Sequence, residues 1–546
     1  MSLMIERLEL NDVSTLHQRQ PSPNSRHPHL SLNSPPSSTH SVSDDRSHIS
    51  PTSSQSYSSS ARSAISPAAT PLPYIKILPI LIARCAEGLN FSVIFPYINA
   101  MMKSFGVPDN SVGIWSASAE SALMITEAFT APLYAPLADR IGRRPVIIVL
   151  EVLFGFLAIS FGFVESAWSA VLVRACLGLL AGLGVLSRTM IGELCDRTNR
   201  IQGFALFSPA LTVGVTIGPL IGGFLANPVP RLLSPSFTLF DRYPYLLPAL
   251  VTGSTSVIAA VTATVFLPET LPSPLRRSRA EKHSEKTGRS GVGDLLRYPP
   301  FQNVLVLYGM TNSITYSWEA IYPLFAFTNT SLGGLQLSTQ TIGVVLALSA
   351  VLSIFQTIFI YPVLHRAIPE NLYLRLCLSA YPAAILFFPV IWALSNANNG
   401  RMSTTAWTAL AVQMILRRVG DFATTMLDTV ILDAIPGPEH LASANSITFS
   451  AAGIGRAIGP FIVSSAFSLS GTFASPFSFG RQLVWIVFAV MSMPPIYLAY
   501  RMQADTMVEH AKEDSSEERH ELLGTRRSTD MPEDMSMWRG DRVSEE

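Results

Sequence analysis

The chain has 546 residues, 48% of them hydrophobic and 14% charged, with a formal net charge of +0. Soluble domains carry about a quarter charged residues, so the deficit argues against an ordinary water-facing surface. The neutral balance excludes a strongly basic nucleic-acid binder, and four cysteines without paired spacing (Cys85, Cys176, Cys195, Cys377) give neither a disulfide framework nor a zinc site.

Residues 1–72, with stretches such as "SLNSPPSSTHSVSDD", cannot bury enough apolar surface to fold. They are read as a disordered tail, and not as a cleavable leader. Apolar stretches follow at 75–98, 112–136, 145–165, 168–192, 203–226 and 246–267. Each is close to the ~20 residues that carry a helix across a bilayer core. The charged segment "LPSPLRRSRAEKHSEKTGRSGVGD" interrupts them. Six more apolar stretches then lie near 302–328, 338–362, 372–395, 405–433, 441–469 and 480–501. "GVTIGP" (Gly214 to Pro219) and "GRAIGP" (Gly455 to Pro460) repeat Gly-x-x-x-Gly-Pro in the fifth stretch of each set. Such a parallel repeat fits a carrier made of two like halves. The expected fold is therefore an all-α membrane protein, about twelve transmembrane helices in two six-helix pseudo-symmetric bundles. Its parts are bundles at 73–267 and 301–501, a cytoplasmic linker at 268–300 and a second disordered tail at 502–546.

Basic residues set the expected orientation. The loops joining spans 2–3, 4–5, 6–7 and 8–9 hold most of the Arg and Lys, among them Arg140, Arg197, Arg276 and Arg366. Loops on the other side hold only Lys103, Arg231, Arg242, Arg401 and Arg481. The positive-inside rule then puts both termini and the central linker in the cytoplasm.

"APLADRIGRRP" (Ala135 to Pro145) gathers Asp139, Arg140, Arg143 and Arg144 around Gly142 in a chain that otherwise avoids charge. Glycine permits a tight turn there, the arginines hold the link inside, and Asp139 can accept from the exposed amides of a neighbouring helix start. The stretch resembles the signature Gly-x-x-x-Asp-Arg-x-Gly-Arg-Arg of the major facilitator superfamily, with Ala135 in the first position. "RACLG" (Arg174 to Gly178) is similar to that superfamily's fourth-span motif, and "GVTIGPLIGG" (Gly214 to Gly223) to its fifth-span antiporter motif. Pro268, Glu269 and Thr270 with "SWEAIYPLF" in span 7 resemble fungal drug–proton antiporters and plant zinc-induced-facilitator-like carriers. The resemblance implies a rocker-switch carrier in which Asp139, Gly142, Arg143 and Arg144, with Glu193 and Asp196 nearby, form a cytoplasmic gate. It also implies that the face of Gly214, Gly218, Pro219 and Gly222, matched by Gly455, Gly459 and Pro460, is a helix-packing interface where the halves slide.

Ionisable groups within spans are costly and so are candidates for function. Arg84 and Glu87 can share a face of span 1, as can Glu120 and Glu127 on span 2. Arg174, Glu319, Arg417, Arg418, Asp421 and Asp428 lie in spans 4, 7 and 10. The resembling antiporters place an acid in span 1 and an Arg in span 4, which implies proton coupling at Glu87, with Glu127 second and Arg84, Arg174, Glu319 and Asp421 in the cavity. Trp318, Tyr322, Phe325 and Phe327 in span 7 are candidates for an apolar substrate path, but core or lipid-facing packing is the expected role of any single one. No metal cluster or nucleophile constellation marks an enzyme, and no cofactor is expected.

The expectation is secondary transport of a small molecule by alternating access with proton antiport, the partners being substrate, protons and lipid around a single copy. An uncoupled facilitator and a non-transporting sensor on the same fold are the alternatives. In "EERHELL" the residues Glu518, Leu522 and Leu523 resemble an acidic dileucine sorting signal read by coat adaptors. It implies a vacuolar or endosomal membrane; without it the plasma membrane is expected.

Overall fold

An apolar segment in lipid must satisfy every backbone N–H and C=O within itself, which a helix does and an irregular chain does not. The computed structural model describes residues 70–196, 198–271, 293, 295–436, 440–473 and 478–502, and among these residues it is helical with no strand. The helices of the first half are α1 (Tyr74–Ser92), α2 (Ile98–Ser104), α3 (Val112–Ile141), α4 (Arg143–Phe161), α5 (Ala167–Leu179), α6 (Leu183–Leu194), α7 (Arg200–Leu225), α8 (Thr238–Arg242) and α9 (Leu246–Phe266). The second half begins with α10 (Pro299–Phe327), α11 (Thr339–Phe355), α12 (Tyr361–Ala367), α13 (Glu370–Ile385) and α14 (Phe387–Ala397). It ends with α15 (Thr404–Asp433), α16 (Leu441–Ser470) and α17 (Phe479–Met502). Among the described residues, eight helical stretches are long and apolar enough to cross a membrane.

Hydropathy places these segments but not their breaks. The first apolar stretch divides into α1 and α2 at residues 93–97, where Pro96 has no N–H to give. The fourth divides at residues 180–182, between α5 and α6. There the Tyr134 hydroxyl of α3 donates to the Leu179 carbonyl that the break leaves free, and Gly182 leaves room for the Tyr134 ring. A π-helical turn at Gln356–Ile360 joins α11 to α12.

Packing repeats between the halves. In the first, α1 lies against α7 and α9, α3 against α5, and α4 against α9. In the second, α10 lies against α16, and α13 and α14 against α15. The most extensive contacts from one half to the other are α3 on α16 and α7 on α11, with smaller ones from α10 to α2 and α3.

The glycines decide which faces meet. A Cβ at Gly214, Gly218 or Gly222 would strike Cys85, Ser92 or Val93 of the α1 segment. A Cβ at Gly455 or Gly459 would strike Gly309 or Ser313 of α10. The glycines of the repeated motif therefore pack inside each half, while Pro219 of the same motif meets the other half. Gly223, one residue on from Gly222, makes the same crossing. A Cβ at Gly223 would come 2.8 Å from the Thr339 carbonyl of α11, and one at Gly343 would strike the Pro219 carbonyl. Small residues let helices approach closely in lipid, where packing drives association.

The span-7 aromatics take the packing role. Trp318, Tyr322 and Phe325 are fully buried. Trp318 stacks on Phe388 at 4.8 Å, and Phe388 stacks on Trp485 at 4.3 Å. Phe325 meets both of these rings edge-on, and Phe327 packs half-buried beside this cluster. These side chains form a core between α10, α14 and α17, not a substrate path.

Candidate functional site

Three groups of charged side chains stand out, and each is set up by local helix chemistry. The first is at the α3–α4 junction. Gly142 has φ +115°, a conformation L side chains rarely adopt, and a Cβ there would lie 2.7 Å from Glu269 Oε2. The turn starts α4 directly after α3, leaving α4's first amides without partners. Glu269 accepts them, at 3.1 Å from Arg143 N and 3.2 Å from Arg144 N. Sequence reasoning gave this capping role to Asp139. Asp139 instead pairs with the Arg143 side chain at 3.1 Å, while the other arm of Arg143 pairs with Glu193 of α6. Arg144 donates to the Thr264 carbonyl at 2.5 Å. Asp196 does not join this cluster. It accepts from Thr198 at 2.6 and 2.8 Å and from the Thr70 hydroxyl, and so ties the start of the chain's helical part to the α6–α7 link. Bonds from Thr198 and then Thr70 hold its carboxyl down to about 2.

The second group lies in the first half. Arg84 and Glu87 are 2.5 Å apart, their side chains 18% and 20% exposed, and Gly184 of α6 makes room for them. The Arg84 guanidinium also lies over the Phe207 ring at 4.9 Å. Arg174 is 2% exposed and reaches the Asn90 carbonyl at 3.5 Å. The charges bearing on it are Glu120 and Glu127, not Glu87. Glu120 is itself buried. Glu127 is half-buried, and Arg456 of α16 heads the charged groups facing it, before Glu87, Arg84 and Arg174.

The third group lies in the second half. Arg417, 2% exposed, makes its close pair with Glu319 of α10 and stands 3.8 Å from Asp421. Asp421 pairs more closely with Arg418 at 2.9 Å and accepts from the Tyr381 hydroxyl at 3.0 Å. Arg418 also donates to Ser349 of α11 at 3.1 Å. Four helices thus meet in one network, and Asp428 makes a further link by accepting from Tyr308 at 2.7 Å.

Two groups escaped the sequence reading. Arg456 is hidden inside the repeated "GRAIGP". It donates to Asn312 at 3.3 Å and lies over the Tyr316 and Phe449 rings at 5.0 and 5.9 Å, within reach of Glu127 across the α3–α16 contact. Glu151 sits inside an unbroken apolar run of α4, 1% exposed. Its signal was plain, a lone acid in a spanning helix, but it had no neighbour at helical spacing to draw attention. Among the described residues no group of three His, Cys, Asp or Glu is placed to hold a metal ion. Leu522 and Leu523 lie outside the described residues.

Residues 80–460 match the family model described as Major Facilitator Superfamily. The chain is 27% identical over 409 residues to the efflux pump azaK of Aspergillus niger, covering 74% of this chain and 83% of that protein. It is 26% identical over 449 residues to the ZINC INDUCED FACILITATOR-LIKE 1 protein of Arabidopsis thaliana, covering 79% and 91%. Among solved structures it resembles a bacterial homologue of the human lysosomal transporter Spinster, inward-facing and occupied. The TM-score is 0.61 at 15% identity, over 80% of this chain and 97% of that one.

Proposed function

The chain belongs to the major facilitator superfamily, and from that premise we propose that it is a carrier exporting a small organic molecule by alternating access, in exchange for protons. Its spans form two six-helix bundles, 73–267 and 301–501, with the 268–300 linker and both tails on the cytoplasmic side. It is a carrier and not an enzyme. The matching α1–α7 and α10–α16 packing supports the two-bundle reading.

The observation that carries the proposal is the Arg84–Glu87 pair, half-buried within a membrane helix. A carboxylate there is held by its partner and can take a proton when that partner turns away. Glu127 and Arg456, facing each other across the two halves, extend the same logic to the moving interface. Arg174, Glu120, Glu319 and Asp421 line or brace the cavity. Asp139, Gly142, Arg143, Arg144 and Glu193 form the cytoplasmic gate, braced by Glu269. Asp196 anchors beside it.

In the structure the gate's ion pairs lie inside the first half. At the opposite end the halves touch: a Cβ at Gly113 of α3 would come 2.6 Å from both Leu324 and Ser468. This supports reading the conformation as open toward the gate side. The name of the Aspergillus relative supports export. A vacuolar or endosomal membrane follows if Leu522 and Leu523 are read by sorting adaptors, and the plasma membrane if they are not.

The test uses proteoliposomes with an acid lumen and a panel of aromatic and cationic compounds, ethidium among them. Wild type should accumulate its substrate only with the gradient, and Glu87→Gln should lose accumulation while keeping exchange. Equal accumulation by the mutant removes Glu87 from the coupling. Gradient-independent movement favours the facilitator, and movement of no compound favours the sensor.

A further inference from the structure

Glu151 lies eight residues into α4, about 12 Å along the helix at 1.5 Å per residue, and so near mid-span. It is 1% exposed, and neither carboxylate oxygen has a hydrogen-bond partner. Helix packing beside it is close. One turn on, a Cβ at Gly155 would come 2.9 Å from the Gly253 carbonyl and from the Val257 side chain of α9, so α4 and α9 leave no gap beside it.

No cation faces it. α9 carries no ionisable residue. On α5, Arg174 is turned toward Glu120, Tyr97 and Glu127. On α6, Glu193 holds Arg143 and Arg188 bears on Asp428. On α3, Asp139 is paired with Arg143 and Glu127 faces Arg456, while Glu120 faces Arg174. The charged group that does bear on Glu151 is another acid, Glu87, and the polar side chain facing it is Ser256 of α9.

Ser256 is tied back to α1. Asn90 Nδ2 donates to Ser256 Oγ at 3.3 Å, to the Thr252 carbonyl at 3.2 Å and to the Ala86 carbonyl at 2.8 Å. Asn90 is three residues beyond Glu87, on the same helix face. Polar groups of α1 and α9 thus lie between the half-buried Arg84–Glu87 pair and a carboxyl that, among the described residues, has no cation beside it. An unpaired carboxylate is very costly in such a place, whereas a carboxylic acid is not.

We propose that Glu151 is a second, exchangeable proton-binding site, set beside Ser256 of α9 and behind Glu87 of α1. The exchange is a bare proton transfer. Glu151 loses one proton and Glu87 gains one, so a single negative charge moves from Glu87 to Glu151 and total charge is unchanged. Asn90 donates into Ser256 Oγ and relays nothing, which leaves the Ser256 hydroxyl hydrogen free to donate to the carboxylate so formed. The consequence for transport rests on the carrier reading above, but the site itself is tested without any transported compound.

The full chain in lipid nanodiscs is titrated while the infrared C=O stretch of protonated carboxyls is followed. Wild type should show a protonated-carboxyl band that disappears as pH rises. Glu151→Gln should lack that band, and Glu87→Gln should keep it with its midpoint displaced. If Glu151→Gln does not fold, Glu151→Asp should keep the band at a changed frequency. A band untouched by either Glu151 variant overturns the site. A Glu151 band that does not titrate overturns exchange, and one unmoved by Glu87→Gln overturns the link to Glu87.

Discussion

At Arg417 the energetic logic of a single residue is easiest to follow. A guanidinium 2% exposed, with Glu319 against it and Asp421 at 3.8 Å, is offset by nearby charge and hydrogen bonds. Removing one partner of such a pair leaves the other charge uncompensated, which costs about 3 kcal/mol, the low end for buried pairs, because Asp421 remains. Glu319→Ala should therefore lower stability by about that amount in denaturant unfolding of the detergent-solubilised chain, and Glu319→Ala with Arg417→Met should recover most of it. Loss in the double variant equal to or beyond the single one would show that packing, not charge, sets the cost.

The sequence revealed which residues are charged inside spans, but not who meets whom. Arg417 and Asp421 stand four residues apart on one helix, yet the close partner of Arg417 is Glu319, 98 positions away. Glu269 was visible as part of a motif, but its role depends on amides 125 and 126 positions earlier. Contacts at such separations leave no local trace.

Among the elements, the fifth-span glycine face tests whether the packing has been read correctly. The Gly218 face lies on α1, inside one half, while Gly223 faces α11 of the other. Gly218→Leu should thus disturb the fold of the first half, reducing yield and melting temperature. Gly223→Leu should leave the fold intact but hold the halves in one arrangement. The check is melting in detergent together with two-sided labelling of introduced cysteines. Normal melting for Gly218→Leu, or normal two-sided labelling for Gly223→Leu, would contradict the assignment.

Helix positions were legible because apolar length is a strong signal in a membrane protein. Internal breaks were less so. The α5–α6 break depends on Tyr134 of another helix taking up the Leu179 carbonyl, and the π-helical turn at Gln356–Ile360 carries no composition of its own. A glycine face is equally mute about its partner, since four-residue spacing says that a close neighbour exists but not which helix it is.

For the whole molecule, the claim is that two like halves exchange between arrangements and that protons bias the exchange. A ligand or proton shifts such an equilibrium only by as much as it binds the two arrangements unequally, which the intramembrane acids are placed to do. The gate pairs of Arg143 lie within one half, and the halves meet at the far end. Opening and closing should therefore be read most clearly at the gate end. Spin labels on Ile141, 62% exposed at the end of α3, and on Arg366 in α12 report that distance across the halves. The four native cysteines are replaced first, and pulsed electron resonance is recorded in nanodiscs in acidic and in neutral buffer. Two distances whose populations change with pH are expected, with the change lost in Glu87→Gln. A single distance, the same at both pH values and in the mutant, would contradict the account.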